Sequence, residues 1–249
     1  MLLLAALSVV LPACAEKEFD PADPAGSFQT AREPYDDEKW EYALTRLGEF
    51  KSRFPYSQYA VEAELLLANT QYEMGRYAEA SVAYAQFAKL HPKHTKVDFA
   101  LYRVGESYWA DAPDNADRGQ EMTAKAVEAW EELVTRYPNS KYGKKAVPMI
   151  EQGKRRIADN FAFVARFYCK RAIYHSCAFK YMRLLELYPQ YSDLRKEAAE
   201  RASMALLEVA KVKEANPKDD SNIFTRDMSA DQIRAKAAEL AATSSRKTR

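Results

Sequence analysis

Apolar residues recur along most of this chain three and four positions apart, the spacing that lines up one face of a helix with about 3.6 residues per turn. The pattern is clearest over residues 61–92, VEAELLLANTQYEMGRYAEASVAYAQFAKLHP. Leu65, Leu67, Ala68 and Tyr72 fall near one face of a first helix, and Tyr77, Ala80, Tyr84 and Phe87 form the stripe of a second. Gly75 between them supplies backbone freedom for a turn, and Pro92 stops the second helix because it lacks an N–H and clashes with the preceding turn. Ala68 and Ala80 are short enough to let two helices approach closely. Such a hairpin cannot bury its own apolar face and needs neighbours stacked on it.

The flanking sequence supplies them. Phe28 and Ala31 face inward on a helix that Pro34 is expected to cut short; Trp40, Ala43, Leu47 and Phe50 follow, closed by Pro55. Leu101, Val104, Gly105 and Tyr108 mark another helix, and Ala126, Trp130 and Leu133 its partner, closed by Pro138. Between these two, residues 110–122, with Pro113, Asn115 and Gly119, read as a long surface loop. Longer helices are expected around 142–160. Phe161, Ala165 and Tyr168, then Tyr174, Cys177, Tyr181 and Leu184, form a fourth hairpin closed by Pro189. A last long helix at about 192–215, with Leu194, Ala198, Ala202, Ala205 and Val209, caps the stack. Residues 216–249 read as a largely disordered tail with one short helix at 229–242, Ser229 as its N-cap and Asp231 in its first turn. Gly75, Tyr77, Ala80, Tyr84 and Pro92 fall where the tetratricopeptide (TPR) repeat has its consensus residues, and the chain resembles that repeat. The closing prolines lie 37, 46 and 51 residues apart, against a repeat of about 34, so insertions are expected. The resemblance implies an all-α, TPR-type α-solenoid over residues 28–215, a right-handed superhelix of about five helix-turn-helix repeats.

Charge and composition narrow the function. With 37 Lys and Arg against 36 Asp and Glu, the chain lacks the basic surplus of a nucleic-acid binder. Seven glycines and 47% hydrophobic residues suit helices. Residues 1–13, MLLLAALSVVLPA, are too short to span a bilayer, which takes about 20 residues, and match the apolar part of a secretory signal. Leu11-Pro12-Ala13-Cys14 resembles a bacterial lipobox, in which Cys14 is lipidated; no Lys or Arg precedes the apolar run. Residues 14–27 read as a flexible tether.

Candidate chemistry is sparse. His91 and His94 are three apart, but Pro92 between them spoils a helical metal pair, and no further ligands complete a shell. No phosphate loop, nucleophile elbow or HExxH is present. No catalytic, cofactor-binding or metal residues are expected, and the chain reads as no enzyme. Cys169 and Cys177 sit on opposing helices of the fourth hairpin. They either bridge in an oxidising compartment or pack as small apolar residues. Tyr77, Tyr84, Tyr102, Tyr108, Tyr168, Tyr181, Trp109 and Trp130 are mostly core by spacing, with a minority lining a groove suited to extended peptides.

Three stretches carry a closer resemblance: RFPYSQYAVEAELLLA (53–68), FAKLHPKHTKVDFALYRVG (87–105) and RYPNSKYGKKA (136–146). With the lipobox they resemble the BamD (YfiO/ComL-like) family of outer-membrane assembly lipoproteins. The chain departs from the family at Thr95, where proline is usual, at Pro34, and in its tail. The resemblance implies a lipid anchor on the periplasmic face of the outer membrane and a scaffold role in β-barrel assembly. The implied partners are an Omp85-type barrel subunit, other lipoproteins of the same complex, unfolded outer-membrane proteins and the membrane itself, with no nucleic acid. Substrate contact would come from about residues 28–105 and barrel-subunit contact from about 161–210. Lys180 stands where the family commonly has an arginine linked to that coupling, keeping the charge but losing the fork. The competing expectation is another periplasmic TPR adaptor, a Tol–Pal-associated division coordinator or a pilus-assembly lipoprotein. No heptad run precedes Phe28, and the proline intervals are unequal, which favours the assembly lipoprotein.

Overall fold

The computed structural model describes residues 17–218 and 224–245. Among them are ten α-helices: α1 (Pro24–Asp36), α2 (Trp40–Arg53), α3 (Ala60–Glu73), α4 (Tyr77–Leu90), α5 (Val97–Asp111), α6 (Glu121–Arg136), α7 (Lys141–Lys170), α8 (Tyr174–Leu187), α9 (Ser192–Ala215) and α10 (Ala230–Ser245). The protein is all-α, a succession of TPR-type helix-turn-helix pairs. Cys14 and the signal-like residues 1–13 lie outside the described residues.

Two kinds of turn alternate, and each follows from local chemistry. Where α2, α4, α6 and α8 end, the amides of Phe54, His91, Tyr137 and Tyr188 close the last helical bonds onto Phe50, Phe87, Leu133 and Leu184 at 2.8–2.9 Å. A second bond then runs from the residue three further on back to the carbonyl of the residue whose amide closed the helix: Ser57 to Phe54, His94 to His91, Ser140 to Tyr137 and Tyr191 to Tyr188. These are β-turns with Pro55, Pro92, Pro138 and Pro189 at their second position, where the fixed φ of proline is already correct. The prolines therefore shape each turn as well as ending each helix.

The turns that follow α1, α3 and α7 need a left-handed residue. Glu38 (φ 58°), Gly75 (φ 72°) and Ala172 (φ 57°) supply it. Each is followed by an amide that reaches back five residues, Lys39 to Pro34, Arg76 to Gln71 and Ile173 to Tyr168, which satisfies a carbonyl left open at the helix end. Only Gly75 was recognisable in advance, because glycine alone adopts this conformation without cost.

The helices pack in two compact units, one ending at Arg76 and the other beginning at Tyr77. Residues 61–92 form α3 and α4 with the turn at Gly75, but α3 packs within the first unit and α4 within the second. In the first unit α1, α2 and α3 meet around Phe28, Ala31, Ala43, Leu47, Phe50, Ala63 and Leu66. In the second, each helix from α4 to α10 packs on the next, and α5 also touches α7 and α7 touches α9. Glycine permits two of these crossings. A Cβ on Gly105 would lie 2.2 Å from Trp130 Nε1, and one on Gly153 would lie 2.4 Å from Val127 Cγ2. Trp130 is fully buried and its indole N–H donates to the Tyr102 carbonyl at 3.2 Å.

Several expectations are revised. Pro34 does not cut α1 short; the helix runs on to Asp36 with the buried proline inside it. A proline forfeits one N–H bond to the preceding turn, and so near the end of the helix that loss goes no further. The loop between α5 and α6 is shorter than 110–122, since α5 reaches Asp111 and α6 starts at Glu121. It is also tied down. The buried Gln120 amide donates to the carbonyls of Asn115 and Arg118 at 2.9 and 3.2 Å, and Asn160 of α7 donates to Ala116 at 2.7 Å. The stretches around 142–160 and 161–169 are one helix of 30 residues, with Pro148 exposed on it.

At the N-terminus, residues 17–20 of the expected tether pack on α2, and Pro24 begins α1 under an Asp23 cap that accepts from Gly26 N at 2.9 Å. In the tail, the one short helix expected at 229–242 is α10, and it is packed on α9. Ser229 and Gln232 cap it reciprocally, at 3.2 and 2.7 Å. Its Ile233, Ala237 and Leu240 are buried, in one cluster with Leu206, Val209 and Ala210 of α9. The helix expected to cap the stack is thus itself covered.

A non-glycine residue held left-handed costs about 1–2 kcal/mol. Ala172→Gly and Glu38→Gly should each raise unfolding stability by about 1 kcal/mol, while Gly75→Ala should lower it by a similar amount. Urea midpoints of the three variants check this.

Candidate docking site

Among the described residues no three His, Cys, Asp or Glu side chains gather as a metal shell. No helix among them is long and apolar enough to cross a membrane. His91 and His94 instead pack on Phe87, with ring centroids 5.2 and 5.1 Å away, and His94 Nδ1 accepts from Lys96 N. The candidate sites are therefore surfaces, and Lys180 points to one of them.

Lys180 lies on α8, half-buried, with its Nζ 5.5 Å from the ring centroid of Phe161 on α7. Helical spacing places its neighbour Tyr181 on the inner side, fully buried. The Tyr181 hydroxyl donates to Glu197 of α9 at 2.8 Å, and Arg166 of α7 forks onto the same carboxylate at 2.6 and 2.5 Å. One carboxylate thus joins three helices. Arg166 holds the Glu197 carboxyl below its ordinary pKa, while burial, assisted by Glu197, pushes the Tyr181 hydroxyl up.

A second fork stands farther back along α7. Arg155 grips both oxygens of Asp193, at the start of α9, at 3.0 and 2.6 Å, and reaches Asp159 at 3.1 Å. The hydrogen bonds from Arg155 lower the Asp193 pKa, and those from both carboxylates raise that of Arg155. At the other end of the hairpin Cys169 and Cys177 form a disulfide, with Cα atoms 5.0 Å apart, across the turn that holds Ala172 left-handed. Of the two readings left open for these cysteines, the bridge is the one realised.

The face so braced carries apolar side chains that spacing did not single out. Phe163 and Phe167 on α7, Ile173 in the turn and Phe179 on α8 are 40–47% exposed. Arg171 lies over the Phe167 ring at 4.7 Å, and Phe224 packs on Phe179 at 5.9 Å. The available signal was negative: these residues fall off the stripe of Phe161, Ala165 and Tyr168 that turns toward the core. A cluster of large exposed apolar groups is an interaction feature.

The aromatic candidates also sort themselves. Tyr84, Trp130 and Tyr181 are core, whereas Tyr77, Tyr102, Tyr108, Trp109 and Tyr168 keep part of their surface in water. Tyr102 packs on Tyr142 at 5.5 Å, Trp109 lies under Arg156 at 3.7 Å, and Tyr84 accepts from Arg103 at 3.0 Å.

A family model described as YfiO, outer membrane lipoprotein, matches residues 21–217. The outer membrane protein assembly factor BamD of Neisseria meningitidis serogroup A is 30% identical over 176 residues, 67% of this chain and 64% of that protein. BamD of Vibrio cholerae is 26% identical over 203 residues, 78% of this chain and 84% of that one. The chain spans a little under two thirds of the length of the Neisseria relatives it matches. Among solved structures, the TPR2AB domain of yeast Sti1 in its pHSP90 complex aligns with a TM-score of 0.44 at 12% identity, over 86% of this chain and 98% of that one.

Glu197→Ala removes the partner of a fully buried hydroxyl and should cost about 1–3 kcal/mol in urea unfolding. Because the folded pKa of Glu197 lies below its ordinary 4.5, its contribution is complete above that value and is lost as pH falls through the folded pKa. Thermal midpoints should therefore drop on acidification below about pH 4.5, and less steeply in Glu197→Gln than in the wild type.

Proposed function

Because the family model covers everything from α1 through α9, the chain belongs to the YfiO outer membrane lipoprotein family, and we propose that it serves as a lipid-anchored, non-catalytic scaffold in outer-membrane protein assembly. In this reading Cys14 carries the lipid and holds the chain on the periplasmic face of the outer membrane. The α7–α8–α9 face docks the periplasmic part of an Omp85-type barrel subunit, and the segment 28–105 takes unfolded outer-membrane proteins. Other lipoproteins of the complex complete the set of partners.

The family match is the observation that carries the proposal. The α7–α8–α9 geometry supports its finer part. A docking surface works best when its side chains are ordered before the partner arrives, since less freedom is then lost on binding. Two arginine forks and a disulfide supply that order here. Lys180 adds a cation over the half-buried Phe161 ring, a pairing of charge and aromatic enriched at protein interfaces when the cation is arginine. With lysine the charge remains while bidentate hydrogen bonding is lost.

The test is depletion of the protein followed by measurement of barrel proteins in the outer membrane, which should fall together. Cys14→Ser should release the chain from membranes at high salt. Lys180→Glu should reduce capture of the barrel subunit several-fold in pull-downs, and Lys180→Arg should retain it. Recovery of Tol–Pal components in place of the barrel subunit would overturn the assignment.

A further inference from the structure

Residues 17–20 fold back along α2. Phe19 is 5% exposed, with its ring centroid 6.1 Å from that of Phe50 and 6.3 Å from that of Phe54. The guanidinium of Arg46, also 5% exposed, lies 4.0 Å above the Phe19 ring. It donates to the Lys17 carbonyl at 2.6 Å and to Glu49 at 2.7 Å. A single buried arginine thus clamps the strap by its backbone and by its one aromatic side chain.

An open cavity of about 610 Å³ lies beside this clamp, between the strap and the C-terminal half of α2. Lys17, Arg46 and Arg53 line it, with Glu18, Glu49 and Ser52. Glu49 is engaged by Arg46. Lys17 pairs with Glu33 at 3.2 Å, both largely exposed, a contact that water and salt weaken. Arg53 stands in the last turn of α2. Gly48 also borders the cavity, and a Cβ there would meet nothing within 4 Å. Glycine is unfavourable inside a helix, and here its effect is to leave the cavity open.

Cys14 precedes Lys17 by three residues. Three extended residues reach at most about 11 Å. An acylated Cys14 would keep Lys17 within that reach of the bilayer surface, and Arg53 lines the same cavity as Lys17. We propose that this cavity seats the phosphodiester headgroup of an anionic phospholipid, with Lys17 and Arg53 meeting the phosphate oxygens and Arg46 holding the strap that positions them. The proposal rests on the reading of Cys14 as the lipid anchor. Its consequence is that the first unit stands on the membrane in one orientation, not at the end of a free tether.

The test uses the full lipidated chain in phosphatidylglycerol vesicles doped with a nickel-chelating, paramagnetic headgroup lipid. A spin label is placed at Ser52→Cys beside the cavity or at Glu41→Cys, about 16 Å away along α2; the native Cys169 and Cys177 are bridged and do not react. Relaxation should be several-fold faster at position 52 than at 41. That advantage should shrink in Lys17→Gln and in Arg53→Gln, each of which weakens headgroup binding by roughly fivefold, and should vanish in phosphatidylcholine. Equal relaxation at the two positions, indifference to both substitutions, or displacement by millimolar glycerol phosphate overturns the seat. A wild-type chain that fails to float with vesicles at high salt overturns the anchor and the seat together.

Discussion

Each helix of this protein has an apolar face that it cannot leave in water, and most of what covers it comes from helices adjacent in the chain, with the α1–α3, α5–α7 and α7–α9 contacts adding to them. Burial of that face drives the packing, at about 25 cal/mol per Å² of apolar area removed from water. It succeeds only where backbones come close. The crossings are therefore built from small residues: Ala158, Ala162 and Ala165 on α7, Ala198 and Ala202 on α9, and Gly105 and Gly153 beneath the larger groups of α6. Large side chains fill the space between, Trp130 against α5, Tyr181 between α7 and α9, and the packed pair Phe28 and Phe50 in the first unit. Because the contacts are between successive helices, everything else depends on turns that bring each helix back against the last.

The α7–α8 turn shows how such a constraint is met with unfavourable residues. Ala172 holds a left-handed conformation that an alanine resists by about 1–2 kcal/mol. The Cys169–Cys177 bridge closes a short loop around it, and a loop of that size is worth roughly 2–3 kcal/mol in the chain-entropy account. The two terms are of similar size and opposite sign. Tyr181, Glu197 and Arg166 then fix the far side of the hairpin. The exposed rings of Phe163, Phe167 and Phe179 are thus carried by helices tied together at both ends of the hairpin.

Periodicity made the helices legible, and with them most of the core. Phe28, Ala43, Leu47, Tyr84, Phe87, Trp130, Tyr181 and Leu184 all stand on predicted stripes and are buried. What stayed hidden depends on contacts distant in sequence or on backbone conformation. Nothing local in Glu38 or Ala172 announces a positive φ, since both residue types favour helix interiors. The stripe of α10 is only three residues, Ile233, Ala237 and Leu240, too narrow to signal docking without the matching face of α9. The exposed apolar residues of α7 and α8 were invisible for the opposite reason: a pattern that finds buried positions says nothing about which large side chains stay exposed. Lys180 was named through resemblance, and its place beside Phe161 follows from the fold.

The strap at residues 17–20 bears on function in the same physical terms. A free tether of fourteen residues would have a root-mean-square span of about 20 Å and would transmit no orientation. Seating Phe19 under Arg46 fixes residues 17–20 on α2. A lipid attached at Cys14, as proposed, would then act on α2 through the strap, because Arg46, which covers Phe19, belongs to the helix that carries the first core. An anchored scaffold whose first helices are held at the membrane presents its remaining surfaces at a reproducible height. If Cys14 is lipidated as proposed, the clamp on the strap gives a covalent lipid, itself without shape, a direction.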